Sequence, residues 1–243
     1  MKSLASVWSW FAVLMVVLLG FWLQLALFLV ALPFDRRRAV AGRFFRLMGV
    51  TAAKLNPLWS FGAAGEVPAS GPRRAVVVSN HASNADVFLI SHLPWEMKWL
   101  GKSSLFAIPF LGWSMWLAGD IPVKRGTRDS VEEAMRRCAG WLERDMPVMI
   151  FPEGTRSKTG ELGPFKDGAF RLAIETKSAL LPLAVAGTHD ALPKHDWRFG
   201  RSRGRVMVGT PIDTSRMTIE DVPKLRDEAR AQIVALQAKL AAL

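Results

Sequence analysis

The stretch from Ser3 to Phe34 carries no charged residue, and this feature constrains the chain more than any other. About 20 consecutive apolar residues suffice to cross the hydrocarbon core of a bilayer. We therefore expect a membrane anchor, formed either by one spanning helix or by a helical hairpin in one leaflet, bent near Gly20 or Gln24. A cleaved signal peptide is disfavoured, because its apolar core runs to only about 7–15 residues and follows a basic region. Here only Lys2 precedes the apolar stretch.

Much of the basic excess of the chain follows this stretch directly. The 243 residues include 32 Lys and Arg against 21 Asp and Glu, which gives a formal net charge of +11. Positive charge beside a membrane helix stays on the cytoplasmic side, so the rest of the chain is predicted to be cytoplasmic. Membrane lipids are expected partners, whereas nucleic acid is not, since most of this charge sits beside the anchor rather than along a recognition helix. The basic collar comprises Arg36, Arg37, Arg38, Arg43, Arg46 and Lys54.

Composition excludes several classes of protein. Hydrophobic residues make up 50% of the chain, which rules out a disordered protein. Cys138 is the only cysteine, which rules out a disulfide framework and a zinc site built on several cysteines. The sequence contains neither the dinucleotide fingerprint nor the Walker A pattern. We predict no metal and no cofactor.

From residue 74 onward, short apolar runs alternate with helical patterns, which is typical of an α/β domain. We predict a largely parallel mixed sheet flanked by helices in a domain spanning 55–243, preceded by the membrane anchor and its basic segment at 1–54. An amphipathic helix is expected near the C-terminus, where apolar residues recur every three or four positions. These residues are Val222, Leu225, Ala229, Ile233, Leu236 and Leu240. The predicted strands are Ala75–Ser79, Ile121–Lys124, Pro147–Phe151, Leu180–Ala186 and Arg205–Val208, with helices over Asp129–Arg144 and Gly168–Lys177.

Polar residues follow the first of these strands, where ligands bind in open α/β sheets. His81 and Asp86 diverge on one straight helix, but they can meet if His81 lies in a turn and Asp86 in the first helical turn. An aspartate that accepts from one ring nitrogen leaves the other nitrogen as a base. The alternative is that Asp86 only favours the helix N-terminus and His81 is a turn residue.

A second polar segment, Glu153-Gly154-Thr155-Arg156, follows the strand predicted at Pro147–Phe151. Glycine permits a tight turn, and the planar guanidinium of arginine suits a phosphate group. Lys158 and Lys166 lie nearby in the sequence. The alternative is a turn at the end of a strand with solvated charges.

With these residues, the sequence resembles the glycerolipid acyltransferase family, and most closely its bacterial 1-acyl-sn-glycerol-3-phosphate acyltransferases. The family's four blocks occur in order and cover roughly residues 55–215. They are Asn80-His81-x4-Asp86, Gly119–Arg125, the complete Phe-Pro-Glu-Gly-Thr-Arg-Ser motif from Phe151 to Ser157, and Leu181–Val185 with Pro182. The sequence departs from the family pattern at Ser104 and Pro122, which leaves the acceptor less certain than the reaction.

The resemblance implies acyl transfer from acyl-CoA, or from acyl carrier protein, to the sn-2 hydroxyl of lysophosphatidic acid at the inner membrane. His81 is then the general base and Asp86 orients it. Arg156 holds the acceptor phosphate. The remaining predicted substrate-binding residues belong to, or lie between, the family's blocks. They are Asn80, Lys102, Arg125, Glu153, Gly154, Thr155 and, for the acyl donor, Pro182.

Other functions remain open at this point. The same chemistry serves another lysophospholipid, glycerol 3-phosphate or an ornithine lipid equally well. A non-catalytic membrane scaffold is the alternative from a different class, although a scaffold has no need of a base paired with an aspartate. The sequence leaves the oligomeric state open.

Overall fold

The computed structural model describes residues 2–157, 159–193 and 196–243, so Lys158 lies outside the described residues. Within these ranges, seven strands form one mixed sheet in the order β1-β7-β6-β2-β5-β3-β4. Neighbouring strands are parallel except β6 and β7, which are antiparallel. The strands β1 to β7 are Gly62–Ala64, Ala75–Ser79, Lys98–Lys102, Ile121–Val123, Val148–Ile150, Ala179–Ala186 and Arg205–Val208. The predicted fold class is confirmed.

Helices flank this sheet on both faces. The helices α1 to α7 are Lys2–Ala31, Ala39–Leu55, Asp86–Ile90, Leu111–Ala118, Arg128–Leu142, Gly168–Glu175 and Val222–Ala241. Single 3₁₀ turns occupy Ser103–Leu105 and Ile219–Asp221. Residues from α5, α6 and α7 form one hydrophobic core with the strand residues Val76 and Val78. Val77, which points the other way, belongs to a second core with α3 and the segment that follows it.

All five predicted strands are present, each within one residue of its predicted ends. The six apolar residues predicted for the inner face of the C-terminal helix are all buried in α7. Two strands were not predicted. β1 is a short and partly exposed Gly-Ala-Ala segment, and β3 begins with a lysine, Lys98, that is fully buried. Neither segment has the continuous apolar run by which a buried strand is recognised.

Helix α1 runs without a break through Gly20 and Gln24, so a hairpin bent at these residues, which was one of the two anchor geometries left open, is not formed. The chain turns after Ala31 instead, and α2 packs antiparallel against α1. Gly20 allows a close approach, since a Cβ there would come within 2.7 Å of Met48 on α2. The Gln24 amide donates to the carbonyl of Ala41 at 3.1 Å and to that of Ser114 on α4 at 3.0 Å. Both residues therefore serve helix packing.

By length and composition, α1 is long and apolar enough to cross a membrane. Its buried face nevertheless touches the rest of the protein along its whole length. Ser6 accepts the main-chain N–H of Phe199 at 3.0 Å, and Ala31 is buried at the other end of the helix. The opposite face exposes large apolar side chains such as Trp22, which is 62% exposed.

Four buried charges fix α2 to the sheet. The guanidinium of Arg46 pairs with the carboxylate of Asp120 and lies 3.7 Å from Glu96. Glu96 also accepts from the ammonium of Lys98 at 3.0 Å. Asp120 further accepts the main-chain N–H of Trp99 on β3. Because Arg46 is buried, it lies outside the basic collar to which it was assigned, and the prediction for this residue is wrong.

Candidate active site

The two polar segments that follow β2 and β5 meet at one edge of the sheet. These strands are parallel neighbours, so their carboxyl ends lie side by side. The main-chain N–H of His81 donates to Glu153 Oε1 at 2.7 Å. The main-chain N–H of Ser157 donates to the carbonyl of His81 at 2.8 Å. The second segment therefore holds the main chain of His81 from both sides.

His81 lies in the turn after β2, and Asp86 is the first residue of α3, which is the arrangement that their spacing requires. The ring nitrogen Nδ1 of His81 lies 2.8 Å from Asp86 Oδ2. The same oxygen accepts the main-chain N–H groups of Ala82 and Ser83, and Asp86 is fully buried. Because Asp86 Oδ2 accepts from each of these groups, Nδ1 of His81 carries the proton of this hydrogen bond, and Nε2 can accept one.

The imidazole of His81 is also held by stacking. Its ring lies on that of Phe151, with 4.0 Å between ring centroids and an interplanar angle of 14°. Phe151 in turn meets the ring of Trp99 edge-on at 6.3 Å. Only 7% of the surface of His81 is exposed. Hydrogen bond and stacking together leave one orientation for the ring, with Nε2 as its remaining polar atom.

Glu153 carries a carboxylate that binds main chain rather than another side chain. Besides the His81 N–H, it accepts the N–H of Gly163 at 3.0 Å. Burial raises the pKa of Glu153, and the two main-chain hydrogen bonds partly offset that effect. The carboxylate of Glu153 therefore shapes the site by linking the turn that carries His81 to the segment around residue 163.

Basic residues surround the same edge of the sheet. Lys102 ends β3, Arg125 follows β4 and Arg156 follows β5, all at carboxyl ends of parallel strands. Burial lowers the pKa of the Arg125 guanidinium, and the nearby charge of Arg156 lowers it further. Among the described residues, no carboxylate forms an ion pair with any of these three side chains. Neighbouring cations of this kind suit a phosphate group.

Lys166 adds a further cation to this cluster, and its position is shown by its contact with Gly154. The φ of Gly154, +71°, lies in the left-handed region, and a Cβ there would come within 3.0 Å of Lys166 Nζ. The Lys166 ammonium therefore lies over the turn that carries Arg156. Thr155, which lies between Gly154 and Arg156 in the sequence, is exposed. Sequence proximity alone pointed to Lys166, but it did not show that the side chain folds back over the turn.

Two predicted substrate-binding residues, Asn80 and Pro182, make contacts within the sheet. The Asn80 amide donates to the carbonyl of Val185 at 2.9 Å and accepts the Val185 N–H at 2.8 Å. It therefore ties β2 to β6. Pro182 is buried within β6 beside Val78, and the structure does not bring it to the edge where His81 lies.

Sequence reasoning missed one residue at the site. Thr188 is fully buried just after β6, and its hydroxyl donates to Asp86 Oδ1 at 2.5 Å. The rule that ligands bind beyond the carboxyl ends of strands applies to β6 as well. Applied there, it points to the polar segment that begins with Thr188.

The fold and the site define an α/β domain with a histidine–aspartate pair beside a cluster of cations, which suits proton transfer on an anionic substrate. The sequence profile described as Acyltransferase matches residues 65–186. The chain therefore belongs to the acyltransferase family, and the predicted resemblance is confirmed.

Relatives of the chain carry more specific names. A chloroplast 1-acyl-sn-glycerol-3-phosphate acyltransferase of Arabidopsis thaliana, LPAT1, is 37% identical over 160 residues, which cover 65% of this chain and 44% of that protein. A 1-acyl-sn-glycerol-3-phosphate acyltransferase of Haemophilus influenzae is 32% identical over 177 residues, covering 71% of this chain and 72% of that protein. The chain thus spans less than half the length of the plant relative.

A solved structure shares the fold. The crystal structure of the 1-acyl-sn-glycerophosphate (LPA) acyltransferase PlsC from Thermotoga maritima superposes with a TM-score of 0.81 at 24% identity. The match covers 100% of this chain and 99% of that chain. The architecture therefore extends to α1 and α2 in both proteins.

We expect Glu153→Gln to loosen the turn that carries His81. Glutamine has the same shape but only one acceptor oxygen, so one of the two main-chain N–H groups loses its partner, at a cost of about 1–3 kcal/mol. Hydrogen exchange followed by mass spectrometry should show faster exchange in peptides covering 80–86 or 160–165. Glu161→Gln, an exposed glutamate on the same segment, serves as the control. Unchanged exchange in both peptides of Glu153→Gln would contradict this role.

Proposed function

We propose that the protein transfers an acyl group from a thioester to the sn-2 hydroxyl of 1-acyl-sn-glycerol 3-phosphate and so forms phosphatidic acid. The names of the Arabidopsis and Haemophilus relatives support this acceptor. The observation that carries the proposal is the contact of 2.8 Å between His81 Nδ1 and Asp86 Oδ2, at a sheet edge that also holds the cations Arg125 and Arg156. The acyl donor is a thioester of coenzyme A or of acyl carrier protein.

The reaction needs no covalent enzyme intermediate. His81 Nε2 takes the proton of the sn-2 hydroxyl as that oxygen attacks the thioester carbonyl. The carbon–oxygen bond forms, the carbon–sulfur bond then breaks, and the proton passes from the imidazolium to the departing thiolate. Asp86 stabilises the imidazolium in between. General base catalysis of this kind typically supplies about 10²–10⁴-fold in rate, and alignment of two bound substrates supplies more.

The lone cysteine is unsuited to act as the nucleophile. Cys138 is fully buried in α5, and burial raises the pKa of its thiol to about 12. A thiol attacks as the thiolate, which this environment disfavours. Direct attack by the acceptor hydroxyl therefore fits the chain better than an acyl-cysteine.

The cations provide the binding site for the acceptor phosphate. Arg156 is the central residue, because it lies near Arg125 and in the turn covered by Lys166. Lys102 comes from the neighbouring strand end. A phosphate shared by several cations removes their mutual repulsion, which adds to the binding energy. It also fixes the glycerol backbone relative to Nε2.

Membrane association follows from the exposed face of α1 and from a second segment beside it. Trp113 on α4 is 48% exposed and lies 5.6 Å from Phe21 between ring centroids. Phe110 contacts Phe21 and Trp22 as well. The exposed apolar faces of α1 and of residues 105–116 are therefore continuous. Trp side chains favour the interface between water and lipid.

We place this combined face in the cytoplasmic leaflet of the inner membrane, with the sheet in the cytoplasm. Contact of α1 with the body of the protein at both of its ends favours a hairpin in one leaflet over a spanning helix. Arg36 and Arg37 are exposed at the turn between α1 and α2, where they suit anionic headgroups. The lysophospholipid and its product both partition into this leaflet, whereas the thioester donor reaches the site from water.

We expect His81→Ala to abolish acyl transfer while the protein stays folded, because the substitution removes the base without opening the core. The measurement is the release of free thiol from acyl-CoA by purified protein in mixed micelles with lysophosphatidic acid. His92→Ala is the matched control, since the ring of His92 hydrogen-bonds the carbonyl of Phe88, four residues earlier in the chain. Retained activity in His81→Ala would refute the assignment of the base.

The same assay identifies the acceptor. Lysophosphatidylethanolamine, glycerol 3-phosphate and an ornithine lipid are offered separately, each with acyl-CoA and with acyl carrier protein as donor. Transfer to one of these acceptors in place of lysophosphatidic acid would keep the mechanism and change the substrate. No transfer with any pair of substrates, from folded protein, would point to a scaffold.

We expect Arg156→Ala to raise the KM for lysophosphatidic acid by about 10- to 100-fold, with a smaller effect on kcat. A hydrogen bond to a charged group contributes about 1.5–3 kcal/mol, and its loss accounts for a change of this size. Steady-state kinetics over a range of acceptor concentrations give both constants. Arg171→Ala on α6 is the control, because this arginine is exposed and its guanidinium lies 3.9 Å from the carboxylate of Glu175. An unchanged KM would remove Arg156 from phosphate binding.

We expect Trp113 to lie as deep in lipid as Trp22. Single cysteines at positions 22 and 113, in a Cys138→Ser background, carry spin labels in vesicles that contain phosphatidylglycerol. Both labels should be accessible to oxygen and shielded from a water-soluble nickel complex. A label at Val131, which is 38% exposed on α5, should behave in the opposite way. If the label at 113 resembles the one at 131, residues 105–116 face water.

A further inference from the structure

The two oxygens of the Asp86 carboxylate have different partners. Oδ2 lies against His81 Nδ1 and accepts two main-chain N–H groups. Oδ1 accepts the Thr188 hydroxyl, and among the described residues it has no other donor. Both side chains are fully buried, so water does not replace this donor. A buried carboxylate oxygen without a donor is strongly disfavoured.

The position of Thr188 is fixed by its neighbours. Gly187 before it has a φ of +77°, and a Cβ there would come within 2.1 Å of the carbonyl oxygen of Arg203. Glycine is therefore required at the end of β6. The carbonyl of Gly187 accepts the hydroxyl of Ser202, and the carbonyl of Thr188 accepts the N–H of Ala191. The hydroxyl is thus aimed at Asp86 by a rigid turn.

We propose that Thr188 is a positioning residue for the base, acting through Asp86. Its hydrogen bond fixes the rotation of the carboxylate so that Oδ2 stays directed at His81 Nδ1. Without it, the carboxylate rotates to share its donors between both oxygens, and the imidazole loses its single orientation. In the intact protein, three segments contribute to one hydrogen-bonded relay. His81 comes from the turn after β2, Asp86 from the start of α3 and Thr188 from the turn after β6. This inference rests on the proposed function of His81.

Thr188 does not itself react. Its hydroxyl donates a hydrogen bond to Oδ1 of Asp86, whereas His81 contacts Oδ2. The arrangement therefore differs from a nucleophilic triad, in which the hydroxyl bonds the histidine. Its effect is expected on turnover rather than on binding, because the Thr188 hydroxyl bonds Asp86 and not one of the proposed phosphate-binding cations.

The test replaces the hydroxyl without changing the shape of the side chain. In Thr188→Val, kcat should fall about 10- to 100-fold, the usual cost of misplacing a catalytic group, while the KM for the acceptor stays unchanged. Thr188→Ser, which keeps the hydroxyl, should retain most of the activity. Thr214→Val is the matched control. Its hydroxyl is also fully buried and donates to the carbonyls of Ala173 and Ser178, away from the site.

A second measurement does not depend on activity. Protein with isotope-labelled histidine gives an NMR signal for the Nδ1–H proton of His81, assigned by its loss in His81→Ala. This signal should move upfield and broaden in Thr188→Val, and it should be unchanged in Thr188→Ser and Thr214→Val.

Unchanged kcat and an unchanged signal in Thr188→Val would overturn the proposal. It would also be overturned if Thr214→Val, at an equal loss of thermal stability, lost as much kcat as Thr188→Val. If the wild-type protein transfers no acyl group but the signal responds as expected, the positioning role stands and the proposed reaction is wrong.

Discussion

The site depends on the side-by-side ends of three parallel strands, β5, β2 and β6. Neighbouring strands in a sheet lie about 4.8 Å apart, so side chains that follow them can reach across. Each junction is closed by side-chain hydrogen bonds. Glu153 links the end of β5 to the main chain of His81 after β2, and Asn80 joins that turn to Val185 of β6. His81 is therefore held between the ends of three neighbouring strands.

Charge is distributed unequally around that edge. The carboxylates of Glu153 and Asp86 are saturated by donors from the protein, and both are buried. The cations of Arg125 and Arg156 approach one another without a carboxylate partner in the described part of the chain. The carboxylates thus bind groups of the protein, and the cations stay available for a ligand. In the proposed reaction this arrangement favours an anionic acceptor, whose hydroxyl then meets a base that already has a fixed orientation.

Sequence patterns predicted what depends on local chemistry. The apolar runs gave five strands, and the spacing of His81 and Asp86 required a turn followed by a helix, which the structure has. Features that depend on distant partners were missed. Lys98 is buried in β3 because Glu96 and the carbonyl of Arg38, the residue before α2, accept from it. Gly20 was one candidate position for a bend, because its neighbour across the helix pair, Met48, is far away in the sequence and its packing role was not visible there.

The buried charges connect helix α2 to the strands that end at the candidate site. Arg46 on α2 pairs with Glu96, two residues before β3, and with Asp120, the residue before β4. The same two strands end at Lys102 and just before Arg125. A strand advances about 3.3 Å per residue, so the four steps from Lys98 to Lys102 span roughly 13 Å. Breaking a buried ion pair costs about 3–5 kcal/mol, so α2 cannot shift easily against these strands. On the proposal that α1 and α2 lie in one leaflet, the depth of these helices in lipid therefore sets the height at which the proposed phosphate-binding cations meet the membrane surface.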